Sequence, residues 1–161
     1  MMVFGVGITS DDVRPFGGSP ASRSLRTRMQ RQCLILTGDP SLRQRLQSVA
    51  ELGGWEACEA PSDGEAVAAA IDRDFQFVVI DIAQPIGEYV SDSVQIAEEF
   101  ASRNGCTLVI VGSEDNVEDE LWARQLGVCA YLPGVSSGDA LLMLFADARR
   151  LAGRRQFAEC A

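Results

Sequence analysis

Apolar residues in this chain fall into short blocks of two alternating kinds. Cys33-Leu-Ile-Leu-Thr37, Phe77-Val-Val-Ile80 and Thr107-Leu-Val-Ile-Val111 are nearly continuous runs rich in branched side chains. Runs of this length, bounded by polar residues, predict strands covered on both faces, as in the middle of a parallel sheet. Between and after them apolar positions recur at helical spacing: Leu42, Leu46, Val49 and Ala50; Val67, Ala70 and Ile71; Val90, Val94, Ala97 and Phe100; and Leu141, Leu144, Phe145, Ala148 and Leu151. Each set makes one stripe on a helix, which predicts a face turned to a core. A further helix is expected near Val117 to Leu126, and two weaker strands at Trp55 to Ala60, more polar and nearer an edge, and at Val128 to Leu132.

The punctuation agrees with that division. Asp39-Pro40 offers an N-cap followed by a proline in the first turn, and Gly53-Gly54 ends the helix so opened. Ser62-Asp-Gly-Glu65 has capping-box spacing, Gly127 closes the helix before it, and Ser136-Ser-Gly-Asp139 opens the last one. Strand and helix thus alternate about five times, which predicts an α/β sandwich of three layers, a parallel sheet with helices on both faces. With right-handed crossovers the economical strand order is 2-1-3-4-5, and its switch point lies between the first and third strands. A site is therefore expected at Thr37 to Asp39 and at Asp81 to Ala83. The third apolar run stops at Asp81, and a carboxylate does not lie unpaired in an apolar layer, so this acid belongs at the carboxyl edge of the sheet.

Composition narrows the chemistry. The chain has 161 residues, enough for one domain with a sizeable core. Its net charge of -9 argues against nucleic acid, whose phosphates need a basic face. No apolar run approaches the ~20 residues of a membrane span, and the start lacks the basic segment of a secretory signal, so a cytoplasmic protein is expected. There is no histidine, which removes zinc sites built on imidazole and any Ser-His-Asp relay. Five cysteines stand at 33, 58, 106, 129 and 160 with no C-x-x-C spacing, and are expected to be reduced and buried. Residues 1 to 31 hold five arginines and two aspartates, net +3, so the other 130 carry -12. That segment, rich in Gly, Ser, Pro and Arg, is expected to be a disordered tail, with Met29 as an alternative start and an acidic partner as an alternative use of its arginines. The structured domain is expected over residues 32 to 153, with fraying from Gly153 through 154 to 161.

Asp39-Pro-Ser-Leu-Arg43 after the first strand, Asp81-Ile-Ala-Gln-Pro85 at the end of the third and Gly127-Val-Cys-Ala-Tyr-Leu132 at the last occur in the order and spacing of one family. From about Cys33 to Leu151 the chain resembles the receiver domains of two-component response regulators, the CheY-like proteins. The resemblance implies a flavodoxin-like (βα)5 fold. It implies that Asp81 stands where the phosphoryl group is accepted and Ala83 where a backbone carbonyl helps to hold Mg²⁺. The acid pair that holds this metal falls on Thr37 and Gly38, leaving only the flanking Asp39. The hydroxyl position falls on Gly112, with Ser113 one place late, and the lysine position on Gly134. Tyr131 matches the aromatic that switches rotamer, although a half-buried strand tyrosine with its hydroxyl in water is the simpler expectation beside Gly112.

Phosphoryl transfer to a carboxylate crowds negative charge, which a metal and a cation must neutralise. Mg²⁺ wants several oxygen ligands in near-octahedral geometry, and one carboxylate with a threonine serves it poorly. A degenerate receiver, a pseudo-receiver, is therefore expected: a stand-alone module without enzymatic activity or cofactor, acting on a protein partner such as a histidine kinase or another signalling protein. Homodimerisation is compatible with the sequence. The alternative is an orthodox response regulator in a phosphorelay, using Mg²⁺ and phosphorylated on Asp81. A small-molecule or nucleotide binder is a third class, but no glycine-rich phosphate loop supports it. The partner face is expected on the helix at Val117 to Leu126, the strand at Val128 to Leu132 and the last helix, where Trp122 and the acids Glu114, Asp115, Glu118, Asp119 and Glu120 lie. Such acids also suit a solvated helix start.

Overall fold

The computed structural model describes residues 31–59, 72–84, 90–134 and 137–159. Five strands, β1 (Gln32–Leu36), β2 (Glu56–Glu59), β3 (Phe77–Asp81), β4 (Thr107–Gly112) and β5 (Ala130–Pro133), form one parallel sheet in the order β2-β1-β3-β4-β5. The described helices are α1 (Pro40–Leu52), α2 (Val90–Ser102), α3 (Val117–Leu126) and α4 (Gly138–Glu159). The helix expected after Ser62 and the tail before Arg31 lie outside the described residues. The predicted order holds because the three most apolar strands take the three central places, where both faces are covered.

Alternate residues of those strands feed two cores. Cys33, Ile35, Phe77, Val79, Val109 and Val111 face α1 and α4, while Leu34, Leu36, Val78, Ile80, Leu108 and Ile110 face α2 and α3. This is the period of two expected of a pleated strand. On the first face Trp55 and Phe145 bracket Phe77, with ring centroids 5.2 and 4.8 Å away, and the Trp55 indole donates a 3.0 Å hydrogen bond to the carbonyl of Phe145. Trp55 is thus a core residue before β2, not its first strand position.

Local chemistry sets most helix ends. Asp39 caps α1, its Oδ1 accepting from the Ser41 amide at 2.8 Å, with Pro40 in the first turn. Asn116, unmarked in the sequence reading, caps α3 by accepting from the amides of Glu118 and Asp119, and Gly127 closes it at φ 80°. Ser137 lies just before α4, its carbonyl accepting from the Leu141 amide.

Two expectations need correction. The buried stripe of α4 is Leu141, Phe145, Ala148 and Ala152, whereas Leu144 is half-buried and Leu151 exposed. The small side chains at 148 and 152 let the helix lie close to its neighbours, which turns the larger leucines outward. In the described chain α4 runs on past Gly153 to Glu159. Gly153 is a close-packing position: a β-carbon there would sit 3.3 Å from Arg31 Nη2. The cysteines are not uniformly buried either. Cys33 is fully buried, Cys58 and Cys106 half-buried and Cys129 exposed, all four free thiols. Burial raises the Cys33 thiol well above its usual range and pushes Cys106 up to about 11, so neither is a thiolate at neutral pH.

Candidate functional site

The carboxyl ends of β1 and β3 meet at the switch point of the sheet, and there the chain places Thr37 and Asp81 side by side. Asp81 is the last residue of β3 and only 2% exposed. Its Oδ2 accepts from the Thr37 hydroxyl at 2.6 Å, and its Oδ1 accepts from the amides of Ala83 and Gln84 at 3.0 and 2.9 Å. Both oxygens are therefore held by donors of the chain itself, and all three donors are neutral. Burial raises the Asp81 pKa, the hydrogen bonds from Thr37, Gln84 and Ala83 pull it back, and the nearby charge of Asp39 adds to the rise.

Thr37, fully buried, links this carboxylate to the next loop: its hydroxyl also accepts from the Asp39 amide at 3.1 Å. Its carbonyl accepts from Arg43 Nη2 at 2.7 Å. The Gly38 amide donates to the Gln84 carbonyl at 2.7 Å, so the loops after β1 and β3 are stitched together across the switch point. The Asp39 carboxylate, through the cap it forms, serves the start of α1.

The remaining expected positions line the same end of the sheet around β4 and β5. Gly112 ends β4, and a β-carbon built there would lie 2.5 Å from Tyr131 Cζ. The phenol ring thus occupies the volume that any side chain at 112 would need. Tyr131 packs against the core on the α2 and α3 side and donates from its hydroxyl to the Ser113 carbonyl at 3.2 Å. Its hydroxyl is bonded to the chain, and its pKa is raised by burial and then by Asp119 and Glu120. Among the described residues the Ser113 side chain accepts a long 3.4 Å contact from the Asp115 amide.

Gly134 follows β5 at φ 67°, a backbone region that suits glycine, with its amide donating to the Gly112 carbonyl at 2.8 Å. A β-carbon there would lie 2.6 Å from Glu114 Cγ. The side chain of an acid is thus folded onto the α-carbon of residue 134. The sequence reading named Thr37, Gly38, Asp39, Asp81 and Ala83, which lie after β1 and at the end of β3, and Gly112, Ser113, Tyr131 and Gly134, which lie at the ends of β4 and β5. It missed Gln84, Arg43 and the packing of Glu114 on Gly134. Gln84 was legible as the third residue of a turn closed by Asp81, whereas the other two contacts join separate loops.

On the expected partner face, Trp122 is half-buried against the core instead of presented to solvent, together with Leu126 and Val128. The apolar side chains that α3 does expose are Val117 and Leu121.

No family model matches the chain. No curated protein matches it. Solved structures do. The chain is similar to the receiver domain of AraT, a response regulator from Geobacillus stearothermophilus, with a TM-score of 0.64 and 16% identity over 80% of this chain and 99% of that one. It is similar to a CheY-like response regulator receiver domain protein from Methanospirillum hungatei, with a TM-score of 0.61 and 20% identity over 78% and 97%. It is also similar to the chemotaxis response regulator CheY4 of Vibrio cholerae, with a TM-score of 0.58 and 16% identity over 74% and 98%. The chain therefore has the CheY-like, flavodoxin-like fold of receiver domains, matched over nearly their whole length. Among the described residues no helix is long and apolar enough to cross a membrane.

Proposed function

We propose that this chain is a pseudo-receiver: a signalling module with the receiver fold that acts by binding a protein partner and does not itself accept a phosphoryl group. It is carried by the cation position. Where a receiver places a lysine, this chain has Gly134 with the Glu114 side chain packed upon it, which puts a carboxylate where the lysine stem would begin. A phosphoryl group adds nearly two negative charges and needs a counter-charge close by. An acid in that place opposes it.

The donor set for a metal is equally unsuited. Mg²⁺ binds hard oxygen ligands at ~2.0–2.1 Å and gives up water reluctantly. Thr37 and Gly38 bring no carboxylate, Asp39 caps α1, and the Asp81 oxygens already accept three hydrogen bonds. Displacing the Thr37 proton and two amides from a buried carboxylate would leave those donors to be satisfied elsewhere. We read the hydrogen-bonded Asp81 as a structural pin that fixes the loops after β1 and β3 in one arrangement. Tyr131, filling the space over Gly112, holds the β4–β5 side in one arrangement too. Both favour a preformed binding surface over a switch, with a histidine kinase or another signalling protein as the kind of partner.

Incubation with acetyl phosphate and millimolar Mg²⁺ tests this. Intact-mass spectra are expected to show no phosphorylated species, and titration calorimetry no saturable Mg²⁺ binding. A phosphorylated species in the wild-type chain that is missing from Asp81→Asn would establish the orthodox phosphoacceptor instead.

A further inference from the structure

A second feature lies at the other end of the molecule. Where the end of α1 meets α4, a groove of about 550 Å³ is lined by Arg31, Arg149, Arg150 and Arg154 over a floor that includes Leu52 and Leu142. Among the described residues none that lines it is acidic. In a chain of net charge -9 such a concentration of guanidinium groups is unexpected. Two of them are held in place by backbone: Arg149 donates to the Gly53 carbonyl at 3.1 Å, and Arg31 to the Arg149 carbonyl at 3.4 Å. Among the described residues, Arg150 alone of the four pairs with a carboxylate, that of Asp147 at 3.0 Å on an exposed helix face. Like charges gathered in this way repel one another and favour an anionic occupant. The surroundings are also apolar: Leu52 is 76% exposed and Met143 70%.

The complementary surface exists on the chain itself. The exposed start of α3 presents Asp115 and Glu118 around Val117 and Leu121, which are 66% and 54% exposed and one helical turn apart. It combines anionic and apolar groups as the groove combines cationic and apolar ones. We propose that the arginine groove docks the α3 face of a second copy of this chain.

Topology decides the form of that association. Arg31 precedes β1 and Leu52 ends α1, so the groove lies at the amino edge of the sheet, on the face that α1 and α4 cover. The start of α3 follows the carboxyl end of β4, and this helix packs on the opposite face. Surfaces at opposite ends and on opposite faces cannot both be satisfied across one two-fold axis. The contact is heterologous, each added copy leaving one free groove and one free α3 face, so assembly proceeds head to tail.

Sedimentation velocity of the full chain tests this. At low ionic strength the mean mass is expected to rise with protein concentration past that of a dimer. In ~0.5 M salt, where charges are screened within a few ångströms, it returns to the monomer. Arg150→Ala with Arg154→Ala, which spoils the groove, and Glu118→Arg with Leu121→Arg, which spoils the α3 face, each leave a monomer. An equimolar mixture of these two variants retains one intact pair of surfaces and stops at a dimer. The single changes Arg154→Gln and Glu118→Gln, which disturb no packing, each weaken association about two- to fivefold. A wild-type chain that is monomeric at low salt overturns the proposal, as does a mixture that stays monomeric. So does association that survives both double variants, or that is abolished only when Arg14, Arg23, Arg26 and Arg28 are replaced.

Discussion

Replacing Gly112 by alanine tests whether Tyr131 is locked in place. The added β-carbon would stand 2.5 Å from Tyr131 Cζ and 2.6 Å from Cε2, closer than carbon atoms approach, and Gly112 is buried at the end of a central strand. The strand cannot move far, so the ring must leave. It then loses the hydrogen bond to the Ser113 carbonyl, about 1 kcal/mol, and part of its packing, a further ~1–2 kcal/mol at ~25 cal/mol per Å². Removing a glycine from a strand returns ~0.5–1 kcal/mol. The net loss is about 1–2 kcal/mol, a fall in melting temperature of ~2–8 °C for a domain of this size. In a Tyr131→Ala background the clash disappears and the same change stabilises by ~0.5–1 kcal/mol. Urea unfolding of the four proteins in the cycle is therefore expected to give a coupling energy of about 2 kcal/mol, accompanied by loss of the tyrosine near-UV dichroism in Gly112→Ala. A coupling below ~0.5 kcal/mol would show that the ring is not held over Gly112.

Other expectations follow from the same geometry. Because the folded pKa of Asp81 is raised, the native state holds its proton more tightly than the unfolded chain. The Asp81 contribution to stability is then greatest in acid and declines as pH rises from the unfolded value of ~3.9 through the folded one. Asp81→Asn removes this decline, so urea midpoints are expected to be higher than wild type at pH 7 and to converge with it near pH 3; a lower midpoint at pH 7 would mean that the carboxylate is stabilising. Thr37→Val deletes a donor to a buried carboxylate and is expected to cost about 1–3 kcal/mol in chemical denaturation, with no loss if the hydrogen bond is absent in solution. Phe77→Ala, at the centre of the Trp55 and Phe145 cluster, is expected to cost about 3–5 kcal/mol, and a cost under 1 kcal/mol would contradict that packing.

Much of this was written in the order of residues. Continuous branched runs at Cys33, Phe77 and Thr107 specify strands covered on both faces, and three such strands need the central places of a sheet. Asp39-Pro40 and Gly127 mark helix ends through bonds made within a few residues, so they too are legible without tertiary structure. The position of Asp81 follows from the same logic, since an acid that ends a buried run must stand at the sheet edge. The residue types at the positions the resemblance singles out, Thr37, Gly38, Gly112 and Gly134, were equally visible, because a residue type at a place in a resembling pattern needs no coordinates.

What surrounds those positions was settled only by the folded chain. That Asp81 is 2% exposed and sealed by Thr37, Ala83 and Gln84 depends on the register of β1 against β3 and on the turn beyond β3. Glu114 lies on Gly134, and Tyr131 over Gly112, because β4 and β5 are neighbours and their following loops converge. In the sequence Arg154 lay in a segment expected to fray, and Arg149 and Arg150 carried no signal. Arg149, Arg150 and Arg154 became a groove only when Arg31 and the end of α1 were brought beside them, Arg31 standing 118 positions before Arg149. Local bonds and periodicity act over a turn or a strand and leave their mark in neighbouring residues. Contacts between loops depend on how whole elements pack, which a single sequence does not spell out.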